Sequence, residues 1–145
     1  MNYSFGLLKP DCTKRRLEKE VFKMIESAGL KIIANKRVRL GKKEVDIVWA
    51  SCVEEDFYEE MLEFSLSGDS IVFIVEGEDA IARLNNLVGH YDPAIAKEGT
   101  IRKRFATSLM ENLIHSSSNE KAFWEETILS FEVSFHQIQK GRSKN

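Results

Sequence analysis

The sequence contains little cysteine and little excess charge, and both shortages exclude classes of protein. Its two cysteines, Cys12 and Cys52, are too few for a disulfide scaffold, and neither has the Cys-x-x-Cys or Cys/His spacing of a zinc site. A net charge of -2 gives no general attraction to nucleic acid or anionic lipid. We therefore expect free thiols and no zinc site, and we do not expect a nucleic-acid partner.

Long apolar runs are missing as well. No stretch of about eighteen apolar residues occurs, and the apolar N-terminal stretch stops at Lys9. We therefore expect no membrane span and no secretory leader, which favours a cytoplasmic location. A length of 145 residues fits one domain. We predict a single domain over residues 1–145, with residues from about 132 to 145 as a C-terminal extension.

The spacing of apolar residues predicts a mixed fold of strands and helices. Thr13 is the expected N-cap of the first helix, and Ser117 with Glu120 forms a possible capping box for the last helix. The predicted strands cover residues 3–8, 30–40, 71–75 and 113–114, and the predicted helices cover 13–28, 45–49, 57–67, 78–88 and 117–131. This order is the βαββαβ pattern of a ferredoxin-like α+β fold. It adds an inserted helical hairpin and a long surface loop over 89–112 to an antiparallel sheet.

Glycine-rich phosphate loops are absent. None of the eight glycines belongs to a G-x-x-x-x-G-K-[ST] or G-x-G-x-x-G motif. Any phosphates would therefore be held by cationic side chains, and Lys9 after the first strand and Arg102 in the long loop are candidates. A helix that begins near Ser117 would add backbone N–H groups that favour anions.

His115 is the candidate nucleophile, because a neutral imidazole is populated near pH 7 and can accept a phosphoryl group covalently. Such a ring needs a carboxylate on its other nitrogen to fix the tautomer. Glu120, Glu125 and Glu126 all follow in the next helix, and spacing alone does not select among them. These residues together predict a phosphoryl-transfer site built on histidine.

Several short motifs occur in the order and at the separations seen in nucleoside diphosphate kinases, and the chain resembles that family from about Tyr3 to Phe131. The motifs are Lys9-Pro10-Asp11, Ser67-Gly68, Glu76-Gly77, Asp92-Pro93, Gly99-Thr100-Ile101-Arg102 and Asn112-x-x-His115. Each is weak alone, but together they are specific.

The resemblance implies a ping-pong reaction. A nucleoside triphosphate such as ATP would phosphorylate His115, and the phosphohistidine would pass the group to a second nucleoside diphosphate, with Mg²⁺ bridging the nucleotide phosphates. The resemblance also implies a homo-oligomer, with a hexamer favoured over a tetramer.

The resemblance further implies a role for each matching site residue. Ser117 and Glu126 would flank and orient the histidine, and Tyr91 stands where the family has a threonine near the phosphates. The expected nucleotide contacts are Lys9 with ribose and phosphates, Arg102 with phosphates, Asn112 with the sugar, and Phe57 with Leu109 around the base. Because an apolar slot stacks any base, discrimination between bases should be weak.

Several positions depart from the family pattern. Asn85 stands in place of a phosphate-binding arginine, and Trp49 in place of a tyrosine beside the histidine. Ser116 and Ser118 replace the glycine and aspartate of an H-G-S-D motif. The leading hypothesis is an active kinase, and the alternative is a catalytically weakened nucleotide-binding or assembly protein of the same fold. A ferredoxin-like RNA-binding module is opposed by the absence of its aromatic sheet signature.

Overall fold

The computed structural model describes the backbone of residues 1–143 and the side chains of residues 1–131. Its strands are β1 (Tyr3–Leu8), β2 (Lys31–Val38), β3 (Ser70–Glu76) and β4 (Ile114–Ser116). Its helices are α1 (Pro10–Lys14), α2 (Glu18–Ser27), α3 (Lys42–Val48), α4 (Tyr58–Leu66), α5 (Ala80–Val88), α6 (Ile101–Phe105) and α7 (Glu120–Ser143), with a short 3-10 turn at Ala50–Cys52. The predicted extension over 132–145 falls where side chains lie outside the described residues.

The four strands form one antiparallel sheet in the order β2-β3-β1-β4. This arrangement confirms the predicted ferredoxin-like α+β fold, and it places the apolar strand β3 in the interior of the sheet, as expected. In the β1–β4 pair, Leu7 lies opposite His115 and Leu8 opposite Ile114. The histidine is therefore carried by an edge strand that pairs directly with a central strand.

Each face of the sheet is covered by its own apolar cluster, because successive strand residues point to opposite faces. Leu8, Phe73 and Val75 pack with α2 and α5 on one face. Phe5 and Leu7 pack with α3, α4 and α7 on the other. Full burial of one such side chain contributes roughly 1.5–3 kcal/mol. His115 shares the alternation of Leu7, so it points to the α3 and α7 face.

Two glycines are required by the packing. A Cβ at Gly6 would overlap the ring of Phe73, so only glycine lets this ring cross β1. Gly89 has a φ of 93° and ends α5, as the sequence predicted. A Cβ at Gly89 would also lie 2.7 Å from the Cβ of Thr100. Glycine at this position therefore allows the end of α5 to lie close to the start of α6.

The predicted first helix is wrong at its start. Pro10 begins α1, since proline lacks an N–H and suits the first helical position. Thr13 lies inside α1, where its hydroxyl donates to the carbonyl of Asp69 at 2.6 Å instead of capping a helix. The chain then turns at Arg16, which has a φ of 57°, before α2 begins at Glu18.

The predicted capping box at the last helix is also wrong. Helix α7 begins at Glu120, and the side chain of Asn119 accepts from the backbone N–H of Ala122 at 2.8 Å. The hydroxyl of Ser117 is engaged elsewhere, as described below. The long loop also differs from the prediction, because it contains α6, whose N-cap Thr100 accepts from the N–H of Lys103 at 3.2 Å.

None of the helices in the described part of the chain is both long enough and apolar enough to cross a bilayer.

Candidate active site

The antiparallel pairing of β1 and β4 brings the candidate residues together. The end of β1 lies beside the start of β4, and the backbone N–H of Lys9 donates to the carbonyl of Leu113 at 2.9 Å. The predicted strand over 113–114 placed His115 just after a strand end, as Lys9 follows the first strand. The prediction is wrong for His115, which is the middle residue of β4. The two residues are nevertheless close in the pairing, because β4 is only three residues long.

His115 is held by Glu126. The Nε2–H of the ring donates to Oε1 of Glu126 at 2.6 Å, and the hydroxyl of Ser117 donates to the same oxygen at 3.0 Å. Glu126 is 4% exposed and Ser117 is fully buried. Of the three glutamates that the sequence left open, the geometry therefore selects Glu126.

This contact determines which ring nitrogen carries the proton. A carboxylate can only accept, so the proton of the neutral imidazole lies on Nε2 and the lone pair lies on Nδ1. Ser117 is held in turn, because its backbone N–H donates to the carbonyl of Phe5 at 3.0 Å. The ring is thereby tied to the central strand β1 as well as to α7.

Lys9 lies in a nearly closed environment, with 6% of its surface exposed. Its Nζ donates to the carbonyl of Met110 and to Oδ1 of Asn112, both at 3.0 Å. The rings of Trp49 and Phe64 lie 5.7 Å and 5.4 Å from the same nitrogen. Burial lowers the pKa of Lys9 to about 8, an effect that the negative charge of Asp11 opposes.

Arg102 connects three segments around the site. Its guanidinium donates to the carbonyls of Asn112 at 3.2 Å, Gly89 at 2.9 Å and Ile114 at 2.6 Å. Burial lowers its pKa to about 10, so the group stays charged at neutral pH. Three of its five N–H groups are used in these bonds, and two remain for an anion.

The backbone before β4 is strained. Leu113 has a φ of 78°, which is rare for a branched residue, and the N–H of Ile114 donates to the carbonyl of Asn112 at 2.9 Å across it. This is a classic γ-turn, a conformation that persists only when its surroundings hold it. Lys9 and Arg102 supply that hold, because both donate to carbonyls of the turn and its neighbours.

Asn112 links the loop to the lysine. Its Oδ1 accepts from Lys9 and its Nδ2 donates to the carbonyl of Tyr91 at 3.1 Å. Tyr91 is 64% exposed, and its ring stacks on His90 with a centroid distance of 4.4 Å. The backbone of Tyr91 thus belongs to the site, and the role of its hydroxyl stays a prediction.

The two residues predicted to hold a base lie on the surface. Phe57 is 45% exposed at the start of α4, and Leu109 is 60% exposed in the loop before β4. Their role in base stacking stays a prediction. Exposed apolar side chains of this size are consistent with a slot that a flat ring could cover.

Two of the departures from the family pattern contact each other. The hydroxyl of Ser116 donates to Oδ1 of Asn85 at 2.5 Å, which joins β4 to α5 on the face opposite to His115. A glycine at position 116 could not make this bond. The two replacements therefore form one local structure.

Sequence reasoning missed the lining of the lysine pocket. The ring of Phe64 and the carbonyl of Met110 both contact the ammonium of Lys9, yet an apolar helix residue and a backbone oxygen carry no recognisable signal. The sequence indicates Trp49 only as a replacement for a tyrosine near the histidine. Its ring lies 5.5 Å from the His115 ring at an interplanar angle of 64°.

The described side chains contain no group of three or more histidine, cysteine, aspartate or glutamate residues placed to hold a metal ion. Both cysteines are free thiols, as expected. Burial raises the pKa of Cys12 to about 12, so this thiol is inert.

Comparison with known proteins gives one consistent result. The family model for nucleoside diphosphate kinase matches residues 2–135. The nucleoside diphosphate kinase of Rhodovulum sulfidophilum is 43% identical over 128 residues, which are 88% of this chain and 91% of the relative. That of Erythrobacter litoralis (strain HTCC2594) is 42% identical over 118 residues, with 81% of this chain and 84% of the relative covered.

Solved structures agree. The apo nucleoside diphosphate kinase of Encephalitozoon cuniculi superimposes with a TM-score of 0.85 at 30% identity, covering 89% of this chain and 88% of that one. The enzyme of Halobacterium salinarum, solved in complex with CDP, gives a TM-score of 0.84 at 30% identity, with 89% and 87% covered. The resemblance that the motifs indicated is confirmed, and the chain belongs to the nucleoside diphosphate kinase family of phosphotransferases.

Proposed function

We propose that this chain, which acts as a nucleoside diphosphate kinase, carries the transferred phosphoryl group on Nδ1 of His115. One observation supports this assignment above all others. The contact between Nε2 of His115 and Glu126 at 2.6 Å leaves Nδ1 as the ring nitrogen with a free lone pair. The ring is 17% exposed, so a phosphate can still reach it.

The reaction has two half-steps. The lone pair of Nδ1 attacks the γ-phosphorus of a nucleoside triphosphate, the bond from that phosphorus to the bridging oxygen breaks, and the nucleoside diphosphate leaves with the electron pair. The second half-step reverses the first with a different diphosphate as the nucleophile. The ring is positively charged while it carries the phosphoryl group, and the carboxylate of Glu126 offsets that charge.

Lys9 and Arg102 balance the charge of the moving group. In this proposal, the third N–H of Lys9 and the two unused N–H groups of Arg102 donate to phosphate oxygens, while their other N–H groups hold the loop. The lysine must be charged for this role. Since its pKa is about 8, transfer should weaken as the pH rises through that value.

The remaining nucleotide contacts lie outside this centre. We assign the sugar to Asn112, the base to the slot between Phe57 and Leu109, and a phosphate oxygen to the hydroxyl of Tyr91. The exposure of these three apolar or aromatic side chains supports contact with a ligand, because each is more than a third exposed. Stacking without edge recognition implies broad tolerance of bases.

Enzymes of this family need a divalent cation. The described side chains offer no cluster that could hold one by itself, so the nucleotide phosphates must supply most of its ligands. We propose that Mg²⁺ enters with the nucleotide, since this ion prefers phosphate and water oxygens. It neutralises charge on the phosphates, and Lys9 and Arg102 orient them.

We also propose that the chain is a single domain over residues 1–145 with a C-terminal extension, and that the protein is cytoplasmic.

We propose in addition that the protein forms a homo-oligomer, with a hexamer favoured over a tetramer. Support for assembly comes from edge strand β2, where Ile33 is 43% exposed. Sedimentation equilibrium measures the assembly directly, and a monomer at every concentration would contradict it.

The direct test is labelling with ATP that carries a radioactive γ-phosphate, in the presence of Mg²⁺. The wild-type protein should acquire a phosphate that is labile in acid and stable in alkali, and His115→Ala should acquire none. His90→Asn is the matched control, because it changes another histidine and should keep the label. A wild-type protein that never labels would exclude the proposed function.

A nucleotide-binding protein with weakened catalysis is the second candidate. The specific observation in its favour is that Asn85 offers an amide that Ser116 already engages at 2.5 Å, with no guanidinium at that position. Loss of one charge-assisted hydrogen bond to a phosphate costs about 1.5–3 kcal/mol, or roughly ten- to a hundredfold. ADP binding without measurable exchange would favour this candidate, and turnover at enzyme-like rates would exclude it.

A further inference from the structure

Trp49 contacts both chemically important groups of the site. Its ring lies 5.5 Å from the imidazole of His115 and 5.7 Å from the Nζ of Lys9. The backbone around it is fixed, because its N–H donates to Val45 at 2.9 Å and its carbonyl accepts from Cys52 at 2.9 Å. A half-buried ring with a fixed backbone is therefore placed beside the nucleophile and the ammonium at once.

The ammonium of Lys9 has few charged neighbours to stabilise it. Among the described side chains no carboxylate forms an ion pair with it, and its two hydrogen-bond acceptors, Met110 and Asn112, are neutral. Removal from water disfavours a charge of this kind. The aromatic rings of Trp49 and Phe64, at 5.7 Å and 5.4 Å from Nζ, add negative potential to that of Asp11, which acts on the ammonium without forming an ion pair with it.

The imidazole is restrained on one side by Glu126 through Nε2. That hydrogen bond still allows the ring to tilt about its own axis. Trp49 meets the ring at an interplanar angle of 64°, in the edge-to-face arrangement that aromatic pairs prefer. The two contacts together fix both the tautomer and the tilt of the ring.

We propose that Trp49 is a positioning residue that keeps the Lys9 ammonium charged and the His115 ring aligned, so that one indole couples the cation to the nucleophile. This inference rests on the proposed function for its catalytic consequence, but its effect on Lys9 can be measured without catalysis.

Other ionisable groups also act on the two residues. Asp11, Cys52 and Glu111 favour the charged lysine, Arg102 disfavours it, and Glu126 faces the histidine. All of them remain when Trp49 alone is changed. A change in the titration of Lys9 between Trp49→Phe and Trp49→Leu therefore reports the aromatic ring, because phenylalanine keeps a ring and leucine does not.

The first measurement is the pH dependence of the second-order rate constant for histidine phosphorylation, which reports ionisations of the free enzyme. In Trp49→Leu the alkaline limb should move to lower pH by about 0.5–1.5 units, because the ammonium loses the attraction of the ring. The rate below that limb should fall roughly 10- to 100-fold, because the imidazole loses its alignment. Trp49→Phe should keep the alkaline limb of the wild type. A limb that stays in place in Trp49→Leu, or that moves equally in both variants, would overturn the proposal.

The second measurement needs no activity. The chain has two tryptophans, so Trp124→Phe leaves Trp49 as the only indole fluorophore. Its emission should then titrate with a midpoint near pH 8, and Lys9→Met should remove that step. No step near that pH, or a step that persists in Lys9→Met, would overturn the coupling. A clear step together with a protein that never labels would instead remove only the proposed function.

Discussion

The inner and outer parts of the site differ in how deeply they are buried and in how completely their polar groups are paired before a nucleotide binds. The inner part, His115 with Glu126 and Lys9 with Asn112, is largely buried and its polar groups are already paired. The outer part, formed by Phe57, Tyr91 and Leu109, is exposed. Under the proposed roles, this difference means that the groups for phosphoryl transfer are held in place before a nucleotide binds, whereas the base would be recognised by an open surface.

Preorganisation has a cost that the inner part also displays. Lys9 is held with few charged partners, and Leu113 carries a strained backbone beside it. Both are stabilised by donors and acceptors that the loop before β4 supplies. Changes to the inner part should therefore affect rates strongly, and changes to the outer part should affect affinity.

The largest expected effect comes from breaking the inner part at Glu126. Glu126→Ala removes the acceptor for Nε2 of His115 and for the hydroxyl of Ser117. The ring then lacks the hydrogen bond that fixes its tautomer and the carboxylate that offsets its positive charge. We expect the rate of phosphohistidine formation to fall about 10²–10⁴-fold. Rapid-quench labelling measures it. Glu125→Ala, at an exposed neighbour on the same helix, is the control and should keep the wild-type rate. An unchanged rate in Glu126→Ala would show that the ring is oriented by something else.

A smaller effect should follow from truncating the outer part. Phe57→Ala removes one wall of the proposed base slot, and one lost stacking contact corresponds to about 1–3 kcal/mol. We expect KM for nucleotides to rise roughly tenfold with kcat nearly unchanged, because the inner part stays intact. Steady-state exchange assays with purine and pyrimidine diphosphates measure both constants. A fall in kcat at constant KM would mean that Phe57 belongs to the preorganised centre.

The smallest expected effect is a change in the free energy of unfolding when the carboxyl group of Asp11, two residues from Lys9, is replaced. Asp11 is 3% exposed, and neither of its oxygens has a hydrogen-bond partner within the described side chains. Burial raises its pKa above the ordinary value of 3.8. Stability therefore declines as the pH rises from that ordinary value through the raised pKa of the folded state, and it stays reduced at neutral pH.

Asp11→Asn removes the charge and should remove this decline, so the variant should be more stable than the wild type at pH 7 and nearly equal to it near pH 4. Urea unfolding at the two pH values measures the difference. Asp79→Asn, at an exposed aspartate, is the control and should show no such gain. A variant that is less stable at pH 7 would mean that the carboxylate has a stabilising partner.

The sequence predicted the sheet and most helices because apolar spacing directly reflects burial. Alternation over residues 30–40 gave β2, and the continuous apolar run at 71–75 gave the interior strand β3. The errors occurred where tertiary contacts compete for a side chain. The sequence pattern predicts Thr13 as an N-cap, but its hydroxyl donates to the backbone carbonyl of Asp69, which is distant in sequence. Ser117 reads as a capping residue, but it donates to Glu126.

The site was predictable in part for the same reason. Motif order indicated Lys9, Arg102, Asn112 and His115, and the structure brings these four residues together around β4, while their roles stay predictions. Selection of Glu126 over its neighbours required the position of α7 against β4. The contact of Trp49 with the lysine also depends on how separate segments pack, and no local pattern encodes it.

The nitrogen that carries the phosphate tests the account most directly. Phosphorus–nitrogen coupling in the phosphorylated protein, labelled with ¹⁵N at histidine, identifies it by NMR. We predict coupling to Nδ1 of His115, with Nε2 still protonated and bonded to Glu126. Coupling to Nε2, or phosphate on a residue other than His115, would contradict the account.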